Sequence, residues 1–398
     1  MDRIILHIDV NSAFLSWSAL KLLEEGYKRD IRKEVSVIAG DPNKRHGIIV
    51  AASIPAKKMG IKSPSNLYDA RKIYKDLIVV KPDRNYYMKK SNQMITLLNK
   101  LFDTVEQYSI DECFVDYTTY QKVYGDVVKF AYKLKAEIYN KFGFTVNIGI
   151  GNNKLSAKMA SDFEKPNKVH TLFESEFKDK VWKLDISELF MAGKSACKIL
   201  RELNINTIEE LAKADQNMLI RHLKSHGKLL WEYANNIDNS ELDTDRYNDR
   251  KGIGFSKTLE VDMDDREEIY KYLYEFSKDI SKKLKEKEVY ANSITVTIRN
   301  NEFKTYNHGR KYLNGVRDVN DIYEKSIELF NQIWGKEPIR LIGLRCTDFT
   351  DSNSYQLSLF EKVKDIKKDN KTDKLIDDIN NKYGKSIIKK GALKWMKK

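Results

Sequence analysis

Three carboxylates in two separated stretches are the side chains best suited to chemistry. Asp9 closes an apolar run in Leu6-His7-Ile8-Asp9-Val10-Asn11-Ser12-Ala13-Phe14, and Asp111 and Glu112 sit in Tyr108-Ser109-Ile110-Asp111-Glu112-Cys113-Phe114. A carboxylate at a strand end projects from a rigid sheet into a cleft. Three of them from two strands can hold a pair of divalent ions about 3.5–4 Å apart, the arrangement that serves in-line displacement at phosphorus. Such oxygen donors suit Mg²⁺, a hard cation that binds alongside substrate phosphates. The plainer readings are that Asp9 is a turn former or helix cap and that the Asp-Glu pair is solvated surface. Against the latter, Val105, Tyr108, Ile110, Cys113, Phe114 and Val115 crowd the pair. Burying adjacent carboxylates without counter-charge is costly, so a metal or a nearby cation is expected.

The elements that must carry these groups follow from hydrophobic spacing. Ile4 to Asp9 predicts a buried strand, and Phe14, Trp17, Leu20 and Leu22-Leu23 recur at helical intervals up to Gly26. Val35–Ile38, Gly47–Ala52 and Ile78–Val80 predict short strands, and Pro55 to Gly60 a helix opened by Pro and stopped by Gly. A long helix then carries Met88, Ile95, Leu98 and Phe102, and Asp111-Glu112 interrupts a strand region from Val105 to Val115. Residues 125–142 read as helix and Thr145 to Gly151 as an alternating strand. Asn152 or Asn153 caps a helix holding Leu155, Met159 and Phe163, which ends before Pro166. This order is α+β, with both acidic stretches on one sheet.

From Asp185 to about Asp238 the pattern is wholly helical. Leu189 to Leu200, followed by Leu203-Asn204-Ile205, resembles a helix-hairpin-helix unit, which aims backbone N–H groups at a DNA phosphate. Met191 stands where the usual hairpin has its first glycine and Gly193 where it has its second. A small helical core without DNA contact is the alternative. Residues 239–250 are polar and charged and read as a linker. Beyond them Ile269, Leu273, Phe276, Ile280 and Leu284 form one helix face. Ser293 to Arg299 alternates, so Ile294, Val296 and Ile298 must face a core and Ser293, Thr295, Thr297 and Arg299 an open face. Those groups, with Lys304, His308, Arg310 and Lys311 nearby, suit phosphate contacts or a merely solvated surface.

At 398 residues the chain exceeds one ordinary core and predicts two to four domains. With 71 basic against 58 acidic residues it carries +13 formal charge, which favours a polyanionic partner. The stretch from Glu361 to Lys398 holds 13 Lys and 6 acidic residues and predicts a flexible basic tail. Three widely spaced cysteines without a CxxC argue against a disulfide framework or zinc site and for a reducing, cytoplasmic setting. No basic segment precedes a long apolar stretch, so neither a signal peptide nor a membrane span is expected.

Together these residues resemble a Y-family DNA polymerase of the bacterial polymerase IV type, over roughly residues 1–350. The resemblance rests on His7-Ile8-Asp9-Val10-Asn11-Ser12-Ala13-Phe14, on Ser109-Ile110-Asp111-Glu112, and on Gly149 to Lys158 leading into Glu164-Lys165-Pro166-Asn167. It implies a right-hand polymerase: a ferredoxin-like palm at 1–10 and 78–170, small fingers at 11–77, an all-helical thumb at 171–240, a linker at 241–250, a separate α+β little finger at 251–350 and a tail at 351–398. It implies template-directed DNA synthesis of low processivity in translesion repair, without proofreading, by a monomer. By resemblance Asp9, Asp111 and Glu112 are the catalytic carboxylates. With the Val10 carbonyl they are the ligands of two Mg²⁺. Phe14 matches the steric gate against ribonucleotides. Asn11, Ser12, Ala13, Phe14, Ser53, Lys57 and Lys165 fall at the deoxynucleoside triphosphate. Gly193, Lys194, Ser195, Ser293, Thr295, Thr297 and Arg299 fall at the primer-template DNA.

One departure concerns the triphosphate. Where the family commonly has Tyr and, three residues on, Arg, this chain has Ile54 and Lys57. Lys supplies a point charge but no bidentate fork, so the expectation is either weaker phosphate binding or a contribution from Ser53. Gln356-Leu357-Ser358-Leu359-Phe360 looks like the pentapeptide by which bacterial polymerases bind the sliding clamp, with Gln356, Leu357, Leu359 and Phe360 as contacts. Two rivals stand beside this reading: a palm-fold nucleotide cyclase, and a catalytically silent scaffold that binds DNA and the clamp.

Overall fold

The computed structural model describes residues 3–41, 47–247 and 251–351. Strand β1 (Ile5–Val10) is buried along its whole length, His7 and Asp9 included, as the central position of the strand requires. Asn11 and Ser12, the latter at φ 47°, turn the chain into α1 (Ala13–Glu24). A four-stranded sheet follows, built from β2 (Ser36–Ala39), β3 (Ile48–Ala52), β4 (Ser65–Asn66) and β5 (Ile78–Val80) in the order β4-β3-β2-β5, with short helices α2 (Ile54–Lys58) and α3 (Leu67–Ile73). Pro in the first turn of α2 and Gly60 at φ 88° just past it bound that helix, as its sequence predicts. Neither β4 nor α3 was anticipated; two residues of strand carry no readable period.

Next come α4 (Arg84–Leu101), β6 (Val105–Gln107), β7 (Glu112–Asp116), α5 (Gln121–Tyr124), α6 (Val127–Phe142), β8 (Val146–Gly151), α7 (Lys154–Asp162) and β9 (Val169–Leu172). The expected interrupted strand is thus a hairpin, with Asp111 in its turn. Sheet order is β6-β7-β1-β8-β9, antiparallel except for the parallel β8–β9 pair. Leu6, Ile8, Val10, Val146, Ile148 and Ile150 face a core shared with Trp17, Met94, Leu98 and Ile138 of α1, α4 and α6. On the opposite face α7 lies directly on β8. A Cβ built at Gly149 would meet the Ala157 carbonyl oxygen at 2.0 Å, and one at Gly151 the Ala157 nitrogen at 2.7 Å. The glycines that alternate with Ile148 and Ile150 therefore let helix and strand backbones touch. Asn153 caps α7 in a reciprocal capping box with Ser156.

The helical stretch comprises α8 (Glu174–Val181), a 3₁₀ turn at Ile186–Glu188, α9 (Lys194–Glu202), α10 (Ile208–Lys213), α11 (Gln216–Leu223) and α12 (Ser225–Ala234), packed around Leu189, Leu200, Ile208, Leu211, Leu219 and Leu230. The helix expected before the hairpin is only that 3₁₀ turn. Met191 adopts φ 71°, the left-handed backbone a glycine would take more readily.

The polar stretch read as a linker is a strap pinned across the first sheet. Asn153 Nδ2 donates to the Asn236 carbonyl (3.0 Å), the Leu155 amide to Asp238 Oδ2 (3.0 Å) and Arg3 to the Ser240 carbonyl (3.1 Å). Leu242 packs with Ile5, Phe114 and Ala157. The Asp243 amide donates to Glu106 Oε2 (3.0 Å), a fully buried carboxylate that also pairs with Lys154 (2.5 Å) and Arg246 (3.6 Å). The Tyr247 hydroxyl reaches Met88 Sδ at 3.7 Å. Polar composition suggested a free tether because the partners, Glu106 and Lys154, are remote in sequence.

The last unit runs β10 (Gly252–Met263), α13 (Arg266–Glu286), β11 (Tyr290–Asn300), β12 (Thr305–Val316), α14 (Val319–Ile333) and β13 (Ile339–Thr350), with antiparallel order β10-β13-β11-β12. Both helices cover one face, where Ile294, Val296 and Ile298 are 0%, 0% and 1% exposed. Among the described residues no helix is long and apolar enough to cross a membrane. The three cysteines are buried and unpaired.

Candidate active site

The register of β1 and β7 brings the acidic stretches together. Asp9 lies directly opposite Glu112, and the Val10 amide donates to the Asp111 carbonyl at 3.0 Å. Side chains opposed across antiparallel strands have Cβ atoms about 5 Å apart. Asp111 is fixed by its own turn: Ser109 Oγ donates to Asp111 Oδ1 at 2.6 Å and accepts from the Asp111 amide at 3.2 Å. Ser109 thus aims a carboxylate.

Each of the two strand carboxylates is met by an ammonium group. Lys165 pairs with Asp9, and Lys158 Nζ lies 2.5 Å from Glu112 Oε1. Asp162 bridges the two cations, at 3.4 Å from Lys158 and 2.8 Å from Lys165. Lys165 was expected at a phosphate and is here an ion partner of Asp9. Sequence reasoning passed over Lys158 and Asp162. Their signal was the 158, 162, 165 spacing, which sets three charges on one side of a helix and its continuation.

Burial pushes the Asp9 carboxyl up, the Glu112 charge adds to this, and Lys165 and Lys158 oppose it. Burial likewise raises Asp111; the Ser109 hydrogen bond opposes the rise and the Asp9 charge reinforces it. Burial works to discharge Lys158, but Glu112 and Asp162 outweigh it and hold that ammonium above the usual lysine range. Lys165 is held higher still, burial being overcome by Asp9 and Asp162. Among the described residues no three Asp, Glu, His or Cys side chains have closed into a metal cage. The all-oxygen donor set nevertheless fits Mg²⁺, and ammonium groups standing on the carboxylates mark where cationic charge is needed.

A buried polar lattice holds the strand end. Asn11 Nδ2 donates to Asn147 Oδ1 (3.0 Å), and Asn11 Oδ1 accepts from the Asn167 amide (2.8 Å). Asn147 Nδ2 donates to the Ser161 and Glu164 carbonyls. Asn11, expected at the nucleotide, therefore spends its amide on tying the Lys165 loop to β1. His7 Nδ1 bonds Ser161 Oγ at 2.8 Å, and burial, with Lys158 and Lys165 adding, keeps the ring well below the usual histidine range. Ser12 is exposed and Ala13 buried as α1 opens beside Asp9. The half-buried Phe14 ring stacks on Tyr87 at 5.0 Å and 15°.

Ser53 is corrected. It is fully buried, caps α2 by accepting from Ala56 (3.1 Å), accepts from the Ser36 amide (3.2 Å) and donates to the Glu34 carbonyl (2.7 Å). A hydroxyl so committed does not reach a phosphate. Lys57 and Ile54 are exposed on α2. Gly193, Lys194 and Ser195 are exposed where α9 begins. Ser293, Thr295, Thr297 and Arg299 occupy the face away from the helices. Thr297 donates to Asn307 Oδ1 (2.6 Å) and Arg299 to Thr305 Oγ1 (2.8 Å). His308 and Arg310 turn the other way, to Gln332 (2.7 Å) and Glu328 (2.5 Å) of α14. Their register opposite Val296 and Ile294 puts them on the helix side. Arg345, exposed and opposite Thr295, joins the open face and was missed, since β13 carried no reading of its own. Gln356, Leu357, Leu359 and Phe360 lie outside the described residues.

Residues 8–162 match the profile of the impB/mucB/samB family and residues 250–359 that of its C-terminal domain. The chain is 44% identical to the DNA polymerase IV of Clostridium acetobutylicum over 99% of its own length and 98% of that protein. It is 33% identical to DNA polymerase IV 1 of Bacillus subtilis, over 98% and 93%. Its fold is similar to that of a Y-family DNA polymerase chimera, with TM-score 0.77 at 24% identity, covering 87% of this chain and 98% of the other.

Proposed function

The chain belongs to the impB/mucB/samB family, that of the bacterial Y-family DNA polymerases, and is a DNA-directed DNA polymerase; we propose that it extends primers across damaged template with low processivity, without proofreading, by two-metal phosphoryl transfer. The observation that carries this reading is the β1–β7 register, which sets Asp9 against Glu112 with Asp111 one residue away. Asp9, Asp111, Glu112 and the Val10 carbonyl would hold two Mg²⁺, whose chemistry is to lower the pKa of a primer 3′-hydroxyl and to neutralise triphosphate charge. Ser109 keeps Asp111 aimed at the site, and Glu112 is the carboxylate nearest the attacking oxygen.

The opening turn of α1 leaves backbone N–H groups without intrahelical partners, suited to phosphate oxygens. Lys165, released from Asp9, is within reach of the same phosphates, and Lys57 supplies a second point charge. Phe14, backed by Tyr87, closes the floor under the sugar. In this reading the first sheet with α1, α4, α6 and α7 is the palm, the β2–β5 sheet the fingers, α8–α12 the thumb, and the last sheet the little finger. The thumb's Gly193–Ser195 amides and the Ser293, Thr295, Thr297, Arg299 face hold primer-template DNA. Gln356–Phe360 recruits the sliding clamp, and the enzyme acts as a cytoplasmic monomer.

Primer extension with Mg²⁺ and single deoxynucleotides tests the assignment. Asp9→Asn and Glu112→Gln proteins should each lose about 10²–10³-fold in extension rate. Normal elongation by either would sink the reading. Production of a cyclic nucleotide instead would identify a cyclase.

A further inference from the structure

We propose that Lys158 and Asp162 are positioning residues that set how readily the carboxylates take a divalent cation: Lys158 is a place-holder cation on Glu112, and Asp162 receives the ammonium groups that a metal displaces. The inference rests on the reading of Asp9, Asp111 and Glu112 as metal ligands.

The geometry is that of a two-position cation. Lys158 Nζ sits 2.5 Å from Glu112 Oε1 and 3.4 Å from Asp162 Oδ2. Lys165 Nζ contacts Asp9 on one side and lies 2.8 Å from Asp162 Oδ1 on the other. Each ammonium therefore touches one carboxylate inside the site and one outside, and Asp162 offers a separate oxygen to each. A side-chain rotation shifts either cation fully onto Asp162 without leaving its charge bare. Lys158 is only 8% exposed, so its charge needs a carboxylate partner in every state. Asp162, by contrast, keeps 48% of its side chain in solvent, which lets it accept charge at low desolvation cost.

Formal charge points the same way. Four carboxylates, Asp9, Asp111, Glu112 and Asp162, face two ammonium groups. The excess is two negative charges, enough for the first of two divalent cations to neutralise. The two lysines keep the site folded and compact before loading. Their retreat onto Asp162 then leaves the strand carboxylates to the ion. The rigid seat of α7 on Gly149 and Gly151 keeps the Lys158 stem at a fixed distance from the sheet, so only its ammonium end has to move.

The test is Mn²⁺ alone, titrated into the DNA-free full chain and followed by the electron paramagnetic resonance of free Mn²⁺, with thermal melts in chelator and in saturating Mn²⁺. Lys158→Met should tighten Mn²⁺ binding about tenfold, lower the melting temperature in chelator and regain it with Mn²⁺. Lys158→Arg should restore wild-type behaviour in chelator. Asp162→Asn, an exposed and isosteric change, should shift Mn²⁺ affinity the opposite way, weakening it several-fold. It carries the test if Lys158→Met fails to fold. Wild-type Mn²⁺ affinity in Asp162→Asn, or no tightening in a folded Lys158→Met protein, overturns the proposal. Wild-type Mn²⁺ affinity in Asp9→Asn would instead remove the metal site on which it rests.

Discussion

Gly149→Ala adds one methyl group where β8 meets α7. The new carbon would lie 2.0 Å from the Ala157 carbonyl oxygen, 2.4 Å from the Ser161 nitrogen and 3.0 Å from Ser161 Cα. All three are backbone atoms, so no rotamer change relieves the clash. Ordinary contact begins near 3.4 Å, so α7 must retreat by roughly 1.4 Å. Overpacking of this kind costs about 1–3 kcal/mol, and two rigid backbones place the effect at the upper end. The melting temperature should fall by roughly 5–10 °C. The retreat also carries Asp162, at the end of α7, away from the Lys165 loop and the strand carboxylates that it serves. Displacement of about 1 Å in a site can cost about 10²-fold in rate. Circular-dichroism melts and single-turnover primer extension, run at a temperature where the variant stays folded, measure both effects. Gly193→Ala is the control for the melts alone, because its added carbon meets nothing within 4 Å and its φ is −70°. Gly149→Ala melting and extending like wild type would refute the claim that backbone contact seats α7.

Phe14→Ala removes the ring stacked on Tyr87 and should raise ribonucleotide incorporation relative to deoxynucleotide by roughly 10–200-fold, measured as the ratio of kcat/KM values. An unchanged ratio contradicts the gate. Lys154→Met leaves the fully buried Glu106 with Arg246 at 3.6 Å as its remaining cation and should cost about 3 kcal/mol in urea denaturation, the low end for a broken buried pair. Adding Glu106→Gln should recover part of that loss, whereas strict additivity would show that the two do not act as a pair. Replacing Leu359 and Phe360 by Ala should abolish stimulation by the sliding clamp and leave distributive synthesis intact. Loss of basal extension as well argues against the clamp assignment.

Local pattern was a good guide where one element explains itself. The apolar run ending at Asp9, the Asn153 cap, the Pro55 start and the Ile294, Val296, Ile298 alternation all have their cause within a few residues, and each occurs as expected. Pairings made by the fold were not legible. Lys165 meets Asp9 across 156 positions, and Lys158 meets Glu112 across 46. No periodicity encodes either. Ser53 looked like a free hydroxyl because its sequence does not reveal that Glu34 and Ser36 wrap it. His308 and Arg310 were grouped with phosphate contacts by proximity, yet strand parity sends them to the other face. Asp111 lay within an apparent strand because hydrophobic content outvoted the turn that Ser109 stabilises.

The strap across the first sheet also shortens a leash. Tyr247 is held at Met88, and β10 begins five residues later at Gly252. Five extended residues reach at most about 17 Å. The start of the terminal sheet is therefore tethered within about 17 Å of the anchor at Met88, and a ligand bound by that sheet would be held near the first sheet at an effective concentration in the millimolar range. A weak grip suffices under that confinement, and a weak grip is quickly broken. Were the strap to peel back to Asn236, the leash would grow about threefold and the local concentration would fall about fivefold. The buried carboxylate of Glu106 thus acts at a distance, as the peg that sets how far a gripping surface can wander from the chemistry it serves.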